Sequence, residues 1–196
     1  MSLINVDGIA ACHDDLIRMW DERGVVFSQA GFMHQVEENH GFNYQLWHAE
    51  DRARRDDRGF EFVYLAKRDI DGFNQQRNDR VEAMDVGFWE QLKPSSLASC
   101  PVHSETPGMM IDRLSILALK SHYMHIQANR VDVDESHRVA CGRKLDVLLA
   151  QRKQLMFCLQ QLIDDVLQQK RTFRVYFQFK MYNDKTLNPQ LYSPVE

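Results

Sequence analysis

The chain has 196 residues, 44% hydrophobic and 10% aromatic, which suits one domain with a full core and excludes a disordered polypeptide. Its 24 Lys and Arg against 28 Asp and Glu give a formal charge of −4, so no global basic footprint for nucleic acid is expected. No apolar run nears the roughly 20 residues that cross a bilayer, no signal peptide is expected, and Cys12, Cys100, Cys141 and Cys158 form no C-x-x-C pair, so a cytoplasmic protein with reduced thiols is expected.

Nine glycines and five prolines leave little punctuation, and long helices follow from that scarcity. The spacing predicts helices near 5–23, 31–57, 59–91, 106–130 and 135–169, with a short one near 172–182. In the second, a core stripe runs from Phe32 through Val36, Asn39, Asn43, Leu46 and Glu50 to Ala53 in steps of four and three. In the third it runs from Phe60 through Lys67, Ile70, Asn74, Arg77, Val81 and Met84 to Phe88. Residues 92–105, rich in Pro and Ser, read as a linker, and Thr106-Pro107 reads as an N-cap followed by proline at the first helical position. The fifth helix carries Cys141, Leu145, Leu148, Arg152, Leu155, Leu159, Leu162 and Val166. Between 172 and 182, aromatic alternation also fits a strand, but no other segment offers a partner, so helix is the expectation. The fold expected is all-α: one bundle of five to six helices over 1–186, two or three of them long, with 187–196 an extended tail.

The polar interruptions carry the functional information. Asn43 and Glu50 break the second stripe beside Trp47, Asp51 and Arg54; Asn74 and Arg77 break the third beside Asn78 and Asp85. Asp112 breaks the fourth, with Arg113 and Lys120 on an adjoining face. A charge in a core stripe must be paired or solvated, because an isolated buried one costs several kcal/mol. Three interrupted helices therefore predict convergence, as a buried ion-pair network or as the lining of an inter-helix pocket.

Other patterns point elsewhere. Glu37-x-x-His40 matches half of a di-iron bundle motif, Asp134-x-x-His137 is a partial echo, and His122-x-x-His125 could share a metal; surface histidines account for all three, and no metal site or cofactor is expected. Glu82-x-x-Asp85 with Glu50 and Asp51 faintly resembles the acidic clusters of helical Mg²⁺-dependent pyrophosphohydrolases.

Four segments in order, NYQLWHAEDRAR at 43–54, NQQRNDRVEAMD at 74–85, SETPGMMIDRLSILALK at 104–120 and QFKMYND at 178–184 with LNP at 187–189, resemble the signatures of the bacterial DUF4254 family; the first and third are also similar to DUF6165. Lys185 stands where a proline is common. The resemblance implies a helical cytoplasmic protein, often encoded beside glycosyltransferases and other surface-polysaccharide genes (lipopolysaccharide or capsule), and no established activity.

The expected function is therefore binding of an anionic sugar, phosphate or nucleotide-sugar in a polar inter-helix pocket. Arg54, Arg77, Arg113 and Lys120 would meet anionic oxygens. Asn43, Asn74 and Asn78 would orient hydroxyls, Trp47 would stack, and Glu50, Asp51 and Asp112 would position the arginines. Two alternatives stand beside it: a scaffold whose polar centre is structural, and the Mg²⁺-dependent phosphohydrolase. A glycosyltransferase is the partner to consider, and a homodimer suits helices of this length.

Overall fold

The computed structural model describes residues 5–95 and 99–192. Among them, six helices and no strand ladder form an all-α bundle: α1 (Val6–Arg23), α2 (Phe32–Arg52), α3 (Phe60–Leu92), α4 (Pro107–Ala128), α5 (Glu135–Leu167) and a single turn, α6 (Pro189–Tyr192). Side chains satisfy the leading N–H groups of three of them. Asn5 accepts from the Gly8 N–H, Thr106 from the Met109 N–H at 3.2 Å, and Asp134 from the His137 N–H at 2.7 Å. Asp134-x-x-His137 is therefore a helix cap, not half of a metal motif.

Helices α2 and α3 form an antiparallel hairpin, joined through a 3₁₀ turn at Asp56–Arg58. Phe32 meets Phe88 edge-on at 5.1 Å at one end, and Ala53 and Ala66 share an apolar cluster at the other. Helix α2 stops at Arg52, short of the expected 57, so the first turn of α3 overhangs its partner. Phe60 is consequently 85% exposed and Lys67 is exposed; the α3 stripe faces the core only from Ile70 onward.

Helices α4 and α5 form a second hairpin, and α1 packs against both. The largest core cluster joins all five, with Ile9, Val36, Phe88, Leu114 and Leu159 fully or nearly fully buried. Each such side chain contributes about 1.5–3 kcal/mol. Arg152, the polar break of the fifth stripe, bonds Asp14 at 2.8 Å and the Ala10 carbonyl at 2.8 Å, tying α5 to α1. Gly108 lets α4 start against α3: a Cβ there would lie 2.6 Å from the Val81 carbonyl and 2.7 Å from the Asp85 carboxylate.

The helix expected near 172–182 is absent. Residues 173–180 run without helix or strand, Phe179 at φ 36°, into a 3₁₀ turn at Met181–Asn183. One parallel bridge, Val102 with Thr172, anchors the segment to the linker through His103 N–H to Thr172 O at 2.7 Å and Thr172 N–H to Pro101 O at 3.0 Å. Phe173 is fully buried against Trp89, whereas Phe177 and Phe179 of the same alternation are exposed, so the aromatic alternation marks neither a helix nor a buried strand face. The segment forms a strap along α3, where the Glu82 carboxylate accepts the Gln178 N–H at 2.7 Å. Within the tail expected to be extended, 189–192 form a helical turn with the Gln190 N–H on Asn188; 193–196 lie outside the described residues.

Candidate ligand-binding site

Where α1, α2 and α4 meet, the core is polar. His13, Asn39, His40 and Ser115 are fully buried, and Asn43 is 4% exposed. Burial drives the His13 imidazole well below its usual pKa, with His40 and Arg152 adding to the effect. Burial brings His40 down to about 3, against an opposing pull from its bond to the His13 carbonyl. Both rings are neutral at pH 7 and stack 4.5 Å apart, with Trp20 on the far side of His40 at 5.3 Å.

The hydrogen bonds have a forced direction. The His13 carbonyl can only accept, so His40 Nε2–H donates to it at 3.1 Å. His40 Nδ1 is then an acceptor and takes the Ser115 hydroxyl proton at 2.7 Å. Ser115 Oγ in turn accepts an Asn43 Nδ2–H at 3.0 Å, and the other Asn43 Nδ2–H goes to Asp112 Oδ1 at 2.9 Å. Asp112 Oδ1 also accepts from Asn39 at 3.0 Å and lies 3.5 Å from Arg77 Nε. Both amide protons of Asn43 are thus consumed inside the core. Its carbonyl oxygen remains as an acceptor, and Asn43 lines the chamber above.

That chamber, about 390 Å³, lies between α2, α3 and α4 and is of ligand-pocket size. Asn43, Trp47, Glu50 and Asp51 reach it from α2, Arg54 from the turn just after it, Asn74 and Arg77 from α3, and Lys120 from α4. Eight of the eleven side chains nominated from the sequence therefore share one cavity. Asp112 sits beneath it, holding Asn43 and Arg77. Arg77 Nε is buried without a hydrogen-bond partner, and no hydrogen bond holds the guanidinium among the described residues. Arg54 is paired with Glu50 at 2.7 Å, and Lys67 is 3.8 Å from the same carboxylate, so these form a charged rim. Lys120 has no ion-pair partner among the described residues.

Two nominated residues fall elsewhere. Asn78 lines a neighbouring recess of about 320 Å³ with Asn74 on α3 and with Gln178 and Lys180 of the strap. Arg113 pairs with Glu105 and lines a separate groove along α4 and α5. Its place on the other flank of α4 follows from one residue, or 100°, of helical rotation from Asp112.

Several residues were missed or misread. His40 was expected at the surface and is buried; its partner in the spacing, Glu37, is buried too and accepts the Ser28 and Gln29 N–H groups at 2.8–3.0 Å, fastening the α1–α2 loop. His13 carried no sequence signal beyond a polar residue one turn before Ile17. Lys180 lies near Arg77, and burial followed by that neighbouring charge lowers its pKa; its place in the closing segment was the available signal.

The four carboxylates considered for Mg²⁺ do not converge. Glu50 faces Arg54, Glu82 holds the strap, and Asp85 is buried as the acceptor of the Thr106 hydroxyl at 2.5 Å and the Gly108 N–H at 2.7 Å. Burial raises the Asp85 carboxyl to about 6 despite those two bonds. His122 meets Asp21 at 2.9 Å while His125 meets Asn129. Among the described residues no three His, Cys, Asp or Glu side chains gather as metal ligands.

Fold and cavity together define a helical-bundle protein with a polar pocket at the junction of three helices. The profile described as protein of unknown function (DUF4254) matches residues 33–175, spanning α2 through α5, and the chain belongs to that family. No curated protein and no solved structure matches the chain. Among the described residues no helix is long and apolar enough to cross a membrane.

Proposed function

We propose that the chamber binds an anionic sugar, such as a sugar phosphate, in a cytoplasmic protein that assists assembly of bacterial surface polysaccharide. The observation that carries this reading is the pairing of opposite hydrogen-bonding demands on the chamber wall. Arg77, ion-paired with Asp112 at 3.5 Å through Nε but without a hydrogen bond there, offers a guanidinium suited to phosphate or carboxylate oxygens. Asn43 offers a carbonyl acceptor whose orientation the core dictates, suited to a hydroxyl. A phosphate alone satisfies only the first; a sugar phosphate satisfies both. Lys120 and Asn74 extend the same two functions, and Trp47 supplies an apolar face for a sugar ring. The setting in polysaccharide assembly rests on the family resemblance alone.

Titration calorimetry with a panel of sugar 1-phosphates tests the proposal. Binding by the wild type, at least ten-fold weaker in Arg77→Ala and unchanged in Arg113→Ala, is the expected result. Equal affinity in all three proteins, or heat from none, removes the chamber as a ligand site. A scaffold would instead show a severely lowered melting temperature in Arg77→Ala and no ligand to lose.

A further inference from the structure

The polar chamber does not end at Trp47. A second and larger trough, about 840 Å³, adjoins it between α4 and α5, and Trp47, Asp51 and Lys120 line both. Its character differs. Tyr123, Met124, Val147 and Leu148 make its walls apolar, and the Trp47 and Tyr123 rings stack 4.9 Å apart at 11°. The Tyr123 hydroxyl, 2.9 Å from His48 Nε2, braces that pair. Arg143 and Lys144 stand beside the apolar surface with Lys120. None of the three cations has an ion-pair partner among the described residues, although most arginines of the protein do. The remaining polar groups are one amide, Gln127, and one carboxylate, Asp51.

Resting on the sugar-binding reading above, we infer that this trough holds the nucleotide half of a nucleoside diphosphate-linked sugar, its glycosyl group lying in the polar chamber. The chemistry of the lining matches such a ligand part by part. A nucleobase has flat apolar faces and a polar edge, and the trough offers aromatic and aliphatic walls with Gln127 beside them. A diphosphate carries two or more negative charges, and Lys120, Arg143 and Lys144 are the unpaired cations at hand. Asp51 repels phosphate but accepts ribose hydroxyls, and it lies on the boundary between the two cavities. A hydrocarbon chain would use the apolar walls and leave Gln127 and Asp51 without a purpose. Lys120 and Trp47, common to both cavities, mark where the diphosphate passes from one to the other.

Calorimetric titration of the full chain with UDP, GDP, CDP and ADP, their glucose conjugates, glucose 1-phosphate and decyl phosphate tests this, in the wild type and in Val147→Glu and Lys144→Glu. Both substituted residues are exposed, and unchanged melting temperatures confirm folding. The expected result is that at least one nucleoside diphosphate glucose binds ten-fold or more tightly than glucose 1-phosphate. Both variants should weaken that conjugate at least ten-fold and leave glucose 1-phosphate within two-fold. Glucose 1-phosphate binding as tightly as every conjugate overturns the trough assignment and leaves the sugar chamber standing. Decyl phosphate outbinding all nucleotides replaces the nucleotide with an alkyl chain. Silence from every probe overturns both readings.

Discussion

The floor and the mouth of the chamber are both polar, yet they are built by opposite rules. On the floor, His40, Ser115, Asn39 and Asp112 are buried, and the hydrogen bonds end on two acceptors, the His13 carbonyl and the Asp112 carboxylate, with Asn43 donating toward both. At the mouth, Lys120 has no ion-pair partner among the described residues, Arg77 meets Asp112 only through Nε at 3.5 Å, and Arg54 and Glu50 pair in solvent. A buried polar group left unpaired costs about 1–3 kcal/mol; His40, Ser115, Asn39 and Asn43 meet that demand within the protein, whereas both ring nitrogens of His13 are buried without a hydrogen-bond partner among the described residues. The contrast separates residues that set the shape and polarity of the site from those free to bind.

If that division is right, acid should attack the floor first. Histidines with lowered folded pKa values bind fewer protons folded than unfolded, so their contribution is intact above about 6.5 and is lost as pH falls below it. His13 and His40 each cost about 1.4 kcal/mol per pH unit in that range, and His40 continues to about 3. Asp85 works the other way. With its folded pKa raised to about 6, it takes up a proton while the unfolded carboxyl does not, and stabilises the fold as pH falls from 6 toward 3.8. Urea denaturation between pH 7 and 4.5 should show a net loss of about 1.4 kcal/mol per unit below pH 6. Asp85→Asn should roughly double that slope. A flat profile would place the histidines in contact with water.

Substitutions grade the same contrast. Asp112→Ala removes the acceptor shared by Asn39 and Asn43 and strands Arg77, which should cost about 3–5 kcal/mol in urea denaturation. Ser115→Ala leaves His40 Nδ1 and one Asn43 proton unpaired in the core, at about 1–3 kcal/mol. Arg54→Ala, breaking a solvated pair at the mouth, should stay within about 0.5–1 kcal/mol. A loss at Arg54 matching that at Asp112 would dissolve the distinction between mouth and floor.

Much of this was legible beforehand, because helical period leaves a strong trace. Asn43, Asn74, Arg77 and Asp112 were singled out as polar breaks in apolar stripes, and they do gather at one place. What failed were features that periodicity does not encode. The end of α2 at Arg52 depends on where the hairpin turns, and Phe60 inherited an apparent core position from a stripe that outran its partner helix. The strap at 173–180 is held by Glu82 and by one bridge to the linker, both from far along the chain. His40 was expected at the surface, and His13 drew no expectation, because stacking between two neutral rings leaves no spacing signature. Arg143 and Lys144 drew no expectation from the sequence; the trough they line with Trp47 depends on how α5 lies against α4.

The central claim is that Arg77 and Asn43 together receive a sugar phosphate. It is tested most directly by titrating glucose 1-phosphate into protein labelled with ¹⁵N and following the Arg77 Nε–H and Asn43 side-chain amide resonances. The account predicts saturable shifts at both, at one common ligand concentration, with the Arg113 Nε–H unmoved. Shifts confined to Arg113 and its neighbours, or a spectrum unchanged at saturating ligand, would contradict it.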